Sequence, residues 1–402
     1  MTAYAEENLE MKTCLYCGEE KNRNEFSDEH IWPNALGGDF LSKDMWRTDK
    51  VCQRCNNTCG LFVDGEFIRS WFGQAERSSG SLEYLAGKKD AAAIPLNYLG
   101  PIKSVPVPHG QVADYWAGPC GANIVHIRPD DGNENWTTYS GGNPIVKKNN
   151  AGRAYIALTS SDEFWIRVSL ESFLQHFDRA ERFIVNASIP SDWGIKVPDR
   201  QNDIQAQDLR IVDAVTEVGK QGGSLHLQPA VSVDVGKRML AKLGLAVGYQ
   251  LLGKAFLDTD SAKSLRSAMR EGDFQKRRSI PLRGSGFIKG TGGGGDIESV
   301  LNWPGGWVLM ILPFENKLGL CLISPSGRSM MILISEDAAL LANLDPKYSD
   351  GVIWITVPAA KKAVGPISLP AYLAHRIENV SLAALTELES LRGDPANLPK
   401  CR

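Results

Sequence analysis

No stretch of this chain stays apolar long enough to cross a membrane. The nearest, Met239–Leu252, is too short and is broken by Lys242 and Gln250. The opening residues, Met1-Thr2-Ala3-Tyr4-Ala5-Glu6-Glu7, have neither the basic start nor the apolar core of a secretory signal. A basic excess is also missing. There are 44 Lys and Arg against 47 Asp and Glu, a net charge of −3, and the N-terminal segment is itself acidic. This excludes binding to nucleic acid by overall basicity, so such contacts must come from local patches or from metal ions. No repeat of solenoid type is present. Histidine is scarce, six in all. His109, His126, His176, His226 and His375 have no metal-ligand spacing among them and are expected to be structural or exposed. These absences lead us to expect a cytoplasmic protein without a membrane anchor.

The chain has 402 residues, enough for two or three domains. Four of its eight cysteines form two pairs, Cys14-Leu15-Tyr16-Cys17 and Cys52-Gln53-Arg54-Cys55. Cys59, Cys120, Cys321 and Cys401 are scattered. In a reducing compartment this pattern points to metal ligation rather than disulfides. Two CxxC pairs can supply four thiolates to one tetrahedral zinc, which would replace a core that so short a segment cannot build alone. Between the pairs lies Glu29-His30-Ile31-Trp32-Pro33-Asn34-Ala35-Leu36-Gly37-Gly38. A bare zinc ribbon needs only turn residues there and has no use for an imidazole beside a carboxylate.

The rest of the chain is read coarsely. Residues 1–10 form a polar arm, and Cys55 to Phe72 is helical. Residues 73–95 are a candidate boundary. Short β-like runs follow from about 96 to 230, including Ala154–Thr159, Phe164–Ser169, Arg182–Ala187 and Ser224–Gln228. A helical stretch covers Gly236 to Met269. Strands are predicted at Trp307–Pro313, Leu318–Ile323, Met330–Ser335 and Val352–Val357, and a last helix over about Leu369–Leu391. The basic run Arg266, Arg270, Lys276, Arg277, Arg278, Arg283 could track phosphates, with Arg277 and Arg278 as candidate contacts. A solvated helix end accounts for the same pattern. Gly290–Asp296 could offer backbone N–H groups to a phosphate but lacks the Lys-Ser/Thr ending of a P-loop, so it is read as a hairpin tip.

The order Cys14/Cys17, then Glu29-His30-Ile31-Trp32-Pro33 with Gly37-Gly38, then Cys52/Cys55-Asn56, resembles the zinc-containing HNH endonucleases, the ββα-metal nucleases. The resemblance implies a β-hairpin packed on a helix, with a catalytic cleft between them and one catalytic metal. His30 has the intrinsic pKa of a general base near neutral pH. Glu29, its neighbour on an extended strand, points to the other side and would reach a metal that His30 does not bind. Asn56 offers a second, neutral oxygen ligand, with Asn57 as a competitor. Oxygen ligands of this kind suit Mg2+ or Mn2+. The family's His-orienting residue aligns with Arg47 or Asp49, neither of them Asn. Asp49 could accept a bond from the imidazole and Arg47 could not. Asp64 could support the metal ligands from behind. Cys59 could serve as an alternative zinc ligand or simply pack, and Trp32 and Trp46 are expected to cover the small core.

The expected fold class is α+β: a small zinc-stabilised HNH domain over residues 1–80, then a mixed α/β region over 96–402, with a subdivision near 230. The expected function is metal-dependent hydrolysis of DNA phosphodiester bonds by a bacterial restriction or antiphage defence nuclease under control of its C-terminal region. A small-molecule or nucleotide activator and a second copy of the chain are candidate partners beside DNA. The alternative is a catalytically degenerate, zinc-stabilised nucleic-acid-binding or assembly protein.

Overall fold

A computed structural model describes residues 11–85, 93–130, 152–185, 189–194, 204–221, 224–227, 235–285 and 296–401. The expected N-terminal arm and the Gly290–Gly295 run lie outside these residues. The architecture is mixed α and β throughout, and the chain divides into two units. One joins Met1–Phe67 with Val233–Glu389; the other joins Ile68–Ser232 with Ser390–Arg402.

In the first unit two short hairpins open the chain. Strands β1 (Met11–Thr13) and β2 (Glu20–Asn22) pair antiparallel around the first CxxC. Strands β3 (Phe26–His30) and β4 (Arg47–Cys52) form the second hairpin, with Glu29 opposite Thr48 and His30 opposite Arg47. A bulge between Ser27 and Glu29 breaks the ladder just before the Glu-His pair, the kind of irregularity that re-aims side chains beside a site. The helix Gln53–Cys59 follows, widens into a π turn over Gly60–Asp64, and continues as Gly65–Arg69. This is the β-hairpin-and-helix that the resemblance to the zinc-containing HNH endonucleases implied.

Residues 233–389 supply the rest of this unit. A six-stranded antiparallel sheet runs in the order Gly284–Ser285, Ser329–Ser335, Lys317–Ile323, Trp307–Phe314, Val352–Val357, Lys362–Ser368. The four long strands expected from apolar runs are all present. The sheet's inner strands carry few charges because both faces are covered: all six residues of Val352–Val357 are buried. One face receives the helix Val235–Leu252. Gly244 and Gly248, one turn apart, let it come close: a Cβ on Gly248 would lie 2.8 Å from Ile334 and 2.4 Å from Phe256. The same face takes the indoles of the N-terminal module. Trp46 meets Trp354 edge-on with ring centres 5.3 Å apart, and Trp32 meets Trp307 at 5.9 Å. Trp32 and Trp46 therefore cover a core shared with this sheet rather than a small one of their own. The expected last helix is two helices, Leu369–Ile377 and Ala383–Ser390. Asn379 adopts a left-handed conformation between them, which ends the first.

The second unit holds a five-stranded sheet in the order Asn97–Pro101, Gln111–Ala117, Asn123–Pro129, Arg153–Ala157, Glu181–Val185. The first four strands are antiparallel and the last pair is parallel. Alternation along the strands sends Ile124 and Ile156 to a core under the helix Glu163–His176. Val125 and Tyr155 go to a second core under Ala206–Gln221. Phe164–Ser169, expected as a strand, is the first half of the Glu163–His176 helix. Asp162 caps it by accepting from Trp165 N at 3.2 Å, and Trp165, Ile166, Val168, Leu170 and Phe173 are all buried. The six-residue window was too short to separate an apolar strand from a buried helical turn. Cys120 and Cys401, expected as unpaired thiols, form a disulfide across 281 residues of sequence. A partner so far along the chain leaves no spacing signal.

Candidate active site

The four CxxC sulfurs lie within 4.8 Å of one another. Cys14 Sγ accepts a hydrogen bond from Cys52 N at 3.3 Å. Hydrogen bonding from Cys55 and nearby backbone N–H groups pulls the Cys14 thiol down to about 4, while burial pushes Cys17 up to about 11. Cys55 is raised because it shares its proton with Cys14. A cluster that stabilises one thiolate and crowds three more sulfurs around it fits a tetrahedral zinc, which would serve as a clamp. Arg266 and Arg270 of the Asp260–Arg270 helix donate to the carbonyls of Leu15 and Cys17 in the zinc loop. Cys59 stands apart from the four, buried with its Sγ 3.9 Å from Met269 Sδ.

His30, at the end of β3, keeps its side chain 24 % exposed. Its Nε2 lies 3.0 Å from Asp39 Oδ1. Arg47, directly across the hairpin, donates to the same Asp39 oxygen at 2.8 Å and to Asp28 at 3.3 Å. Asp39 is thus the hydrogen-bond partner of the imidazole, itself held by Arg47. It follows Gly37-Gly38, and the geometry explains both glycines. Gly37 has φ +98°, a region that favours glycine. A Cβ on Gly38 would sit 1.9 Å from the Trp32 carbonyl oxygen. The turn is pinned from the sheet by Thr356, whose Oγ1 donates to Leu36 O at 2.7 Å, while Trp32 Nε1 donates to the same oxygen at 2.8 Å. Asp49, one of the two aligned candidates for the orienting role, is exposed and paired with Lys12 and Lys50. The other, Arg47, reaches His30 only through Asp39.

Asn56 donates its amide N–H to Ser27 Oγ at 2.9 Å and to Asp28 O at 3.0 Å, tying the helix to the bulge in β3. Glu29, the expected metal ligand, occupies the opposite side of the strand from His30 and is only 3 % exposed. Its Oε1 accepts from Tyr16 OH at 3.1 Å and lies 2.8 Å from Lys242 Nζ. Asp64 Oδ2 lies 2.6 Å from the same ammonium. Burial would lower the Lys242 pKa, but the Asp64 and Glu29 carboxylates hold it above the ordinary lysine value. Burial pushes Asp64 itself up to about 6. With Glu29 committed to a lysine and closed to solvent, Glu29 and Asn56 as placed do not fit a divalent ion open to a phosphate.

Arg277 is buried and donates to Glu271 O at 2.7 Å, so its guanidinium turns inward; Arg278 beside it is exposed. An open cleft of about 410 Å³ lies next to Arg47, lined by Asp28, Lys43, Thr48, Lys50, Tyr249 and Gln250 among others. Two side chains that contact the Glu29-His30 pair escaped the sequence motifs. Asp39 follows the Gly-Gly pair with no signature of its own. Lys242 was visible only as a charge interrupting an apolar helix.

No curated protein and no solved structure matches the chain. Residues 14–72 match the model of a family described as HNH endonuclease, and the four clustered thiols agree with its CxxC/CxxC zinc subtype. This N-terminal segment thus belongs to the HNH endonuclease family.

Proposed function

We propose that the chain is a DNA endonuclease whose HNH module hydrolyses phosphodiester bonds with His30 as general base. The observation that carries this reading is the His30–Asp39 pair, held at 3.0 Å on an exposed face of the family's hairpin. With Nε2 engaged by Asp39, Nδ1 is the nitrogen that takes a proton from water. The new P–O bond forms as the bond to the leaving sugar oxygen breaks, and that oxygen takes its proton from solvent. A positioned base of this kind contributes roughly 10²–10⁴-fold. Arg47, which fixes Asp39 and Asp28, brings a guanidinium beside the developing phosphorane charge. The family resemblance implies a catalytic Mg2+ or Mn2+, but Glu29 is engaged by Lys242, so no step here is routed through a cation at that residue.

In this proposal the protein is a cytoplasmic bacterial restriction or antiphage defence nuclease. The packing of residues 233–389 directly on the module supports control by the C-terminal region. Lys242 and Gln250 of one helix reach Glu29 and the carbonyl of Arg47, so a nucleotide activator, or self-association, that moved this helix would act on the hairpin bearing His30. A catalytically degenerate binding or assembly protein is the second reading, favoured by the burial of Glu29. Supercoiled plasmid incubated with zinc-loaded protein, with and without Mg2+ or Mn2+, decides between them. The proposal expects nicking that His30→Ala abolishes without loss of zinc or fold; equal cutting by His30→Ala refutes the mechanism, and no cutting under any condition favours the second reading.

A further inference from the structure

Lys242 is fully buried. Its Nζ faces four oxygens: Glu29 Oε1 at 2.8 Å, Asp64 Oδ2 at 2.6 Å, His30 O at 3.1 Å and Ile31 O at 3.4 Å. Two carboxylates and two carbonyls are the donor set of a hard cation. They come from the residue before the candidate base, the backbone of the base itself and its successor, and the π turn downstream. An ammonium has only three N–H groups to give. The shell is correspondingly incomplete: Asp64 Oδ1 is buried and has no hydrogen-bond partner within the protein, and a buried carboxylate oxygen left so calls for an explanation. A cation bound by both Asp64 oxygens would leave no such orphan.

We propose that Lys242 is the resident cation of this HNH module, its ammonium filling, from the Val235–Leu252 helix, the position at Glu29 where the family resemblance places a divalent ion. Glu29 is then not a metal ligand in this chain. Glu29, Asp64 and Lys242 are positioning residues, because the ammonium holds the carbonyls of His30 and Ile31 and so sets the end of the strand that presents the imidazole. The inference rests on the HNH reading of the hairpin, but not on hydrolysis taking place.

The test measures Mn2+ uptake by electron paramagnetic resonance on the zinc-saturated full-length protein. The parent and Glu29→Gln should take up equal amounts. Lys242→Ala should gain one Mn2+ per chain, and that site should vanish in Lys242→Ala/Glu29→Gln. A lysine serving only as a buried salt-bridge partner creates no such site when removed. A parent site that Glu29→Gln removes overturns the proposal, as does a folded Lys242→Ala that gains none. Should Lys242→Ala fail to fold, the comparison of parent with Glu29→Gln still decides. Plasmid cleavage by His30→Ala is scored separately, so failure of one reading leaves the other standing.

Discussion

Replacing Lys242 by methionine keeps most of the side-chain volume and removes only the ammonium. What remains is two carboxylates, Glu29 at 3 % and Asp64 at 8 % exposure, facing each other with their shared cation gone. Breaking a buried ion pair from one side costs about 3–5 kcal/mol, because the abandoned charge stays desolvated. Here two charges are abandoned, so the upper part of that range is expected. For a cooperative unit of this size that upper part corresponds to roughly 8–20 °C in Tm. The assay is urea or thermal unfolding of the zinc-saturated protein, followed by tryptophan fluorescence, since Trp46 and Trp32 lie in the same interface. The companion variant Lys242→Met/Glu29→Gln/Asp64→Asn removes all three charges together and should recover most of the loss, since deleting a whole buried ionic cluster is far cheaper than breaking it. A single variant within about 1 kcal/mol of the parent, or a triple variant less stable than the single, would refute the claim that the ammonium holds these carboxylates.

Asp39→Ala should slow plasmid nicking about 10- to 100-fold by freeing the imidazole, a loss of the size seen when an orienting partner is removed, whereas Asp49→Ala should leave the rate unchanged; equal effects would show that Asp39 does not position His30. Zinc analysis should give one ion per chain, and chelation should unfold the N-terminal module with loss of near-ultraviolet circular dichroism that zinc restores; a chelated protein with an unchanged spectrum would contradict the clamp. Gly38→Ala forces a Cβ to 1.9 Å from the Trp32 carbonyl oxygen and should destabilise by about 1–3 kcal/mol or more. Gly60→Ala meets nothing within 4 Å and should be neutral or slightly stabilising, and the two midpoints measured side by side test the packing of the turn.

Much of the N-terminal module was legible because its determinants are local. Thiol spacing, the Glu-His pair and the Gly-Gly turn each act over a few residues, and the structure assembles the hairpin, helix and thiol cluster from them. The strands Trp307–Phe314 to Val352–Val357 were legible because a doubly covered strand reads as an unbroken apolar run. Local pattern failed where a short window fitted two periods, as at Phe164–Ser169. It also failed where a partner lay far along the chain, as Asp39 reaches back nine residues to His30 and Cys401 pairs with Cys120.

The most informative residues were visible from the start as anomalies. Lys242 and Gln250 interrupt the apolar helix Val235–Leu252, and a charge in such a place means either a mistaken helix or a buried partner. By itself the sequence determined that two thiol pairs flank a carboxylate beside an imidazole, since CxxC spacing and strand alternation are read over a few residues. Only the tertiary structure decided what lies behind that hairpin. Whether Glu29 faces water, a metal ion or a lysine depends on which helix closes over it, and that is set by packing between segments some 200 residues apart, where interaction energy depends on proximity in space and not on order along the chain.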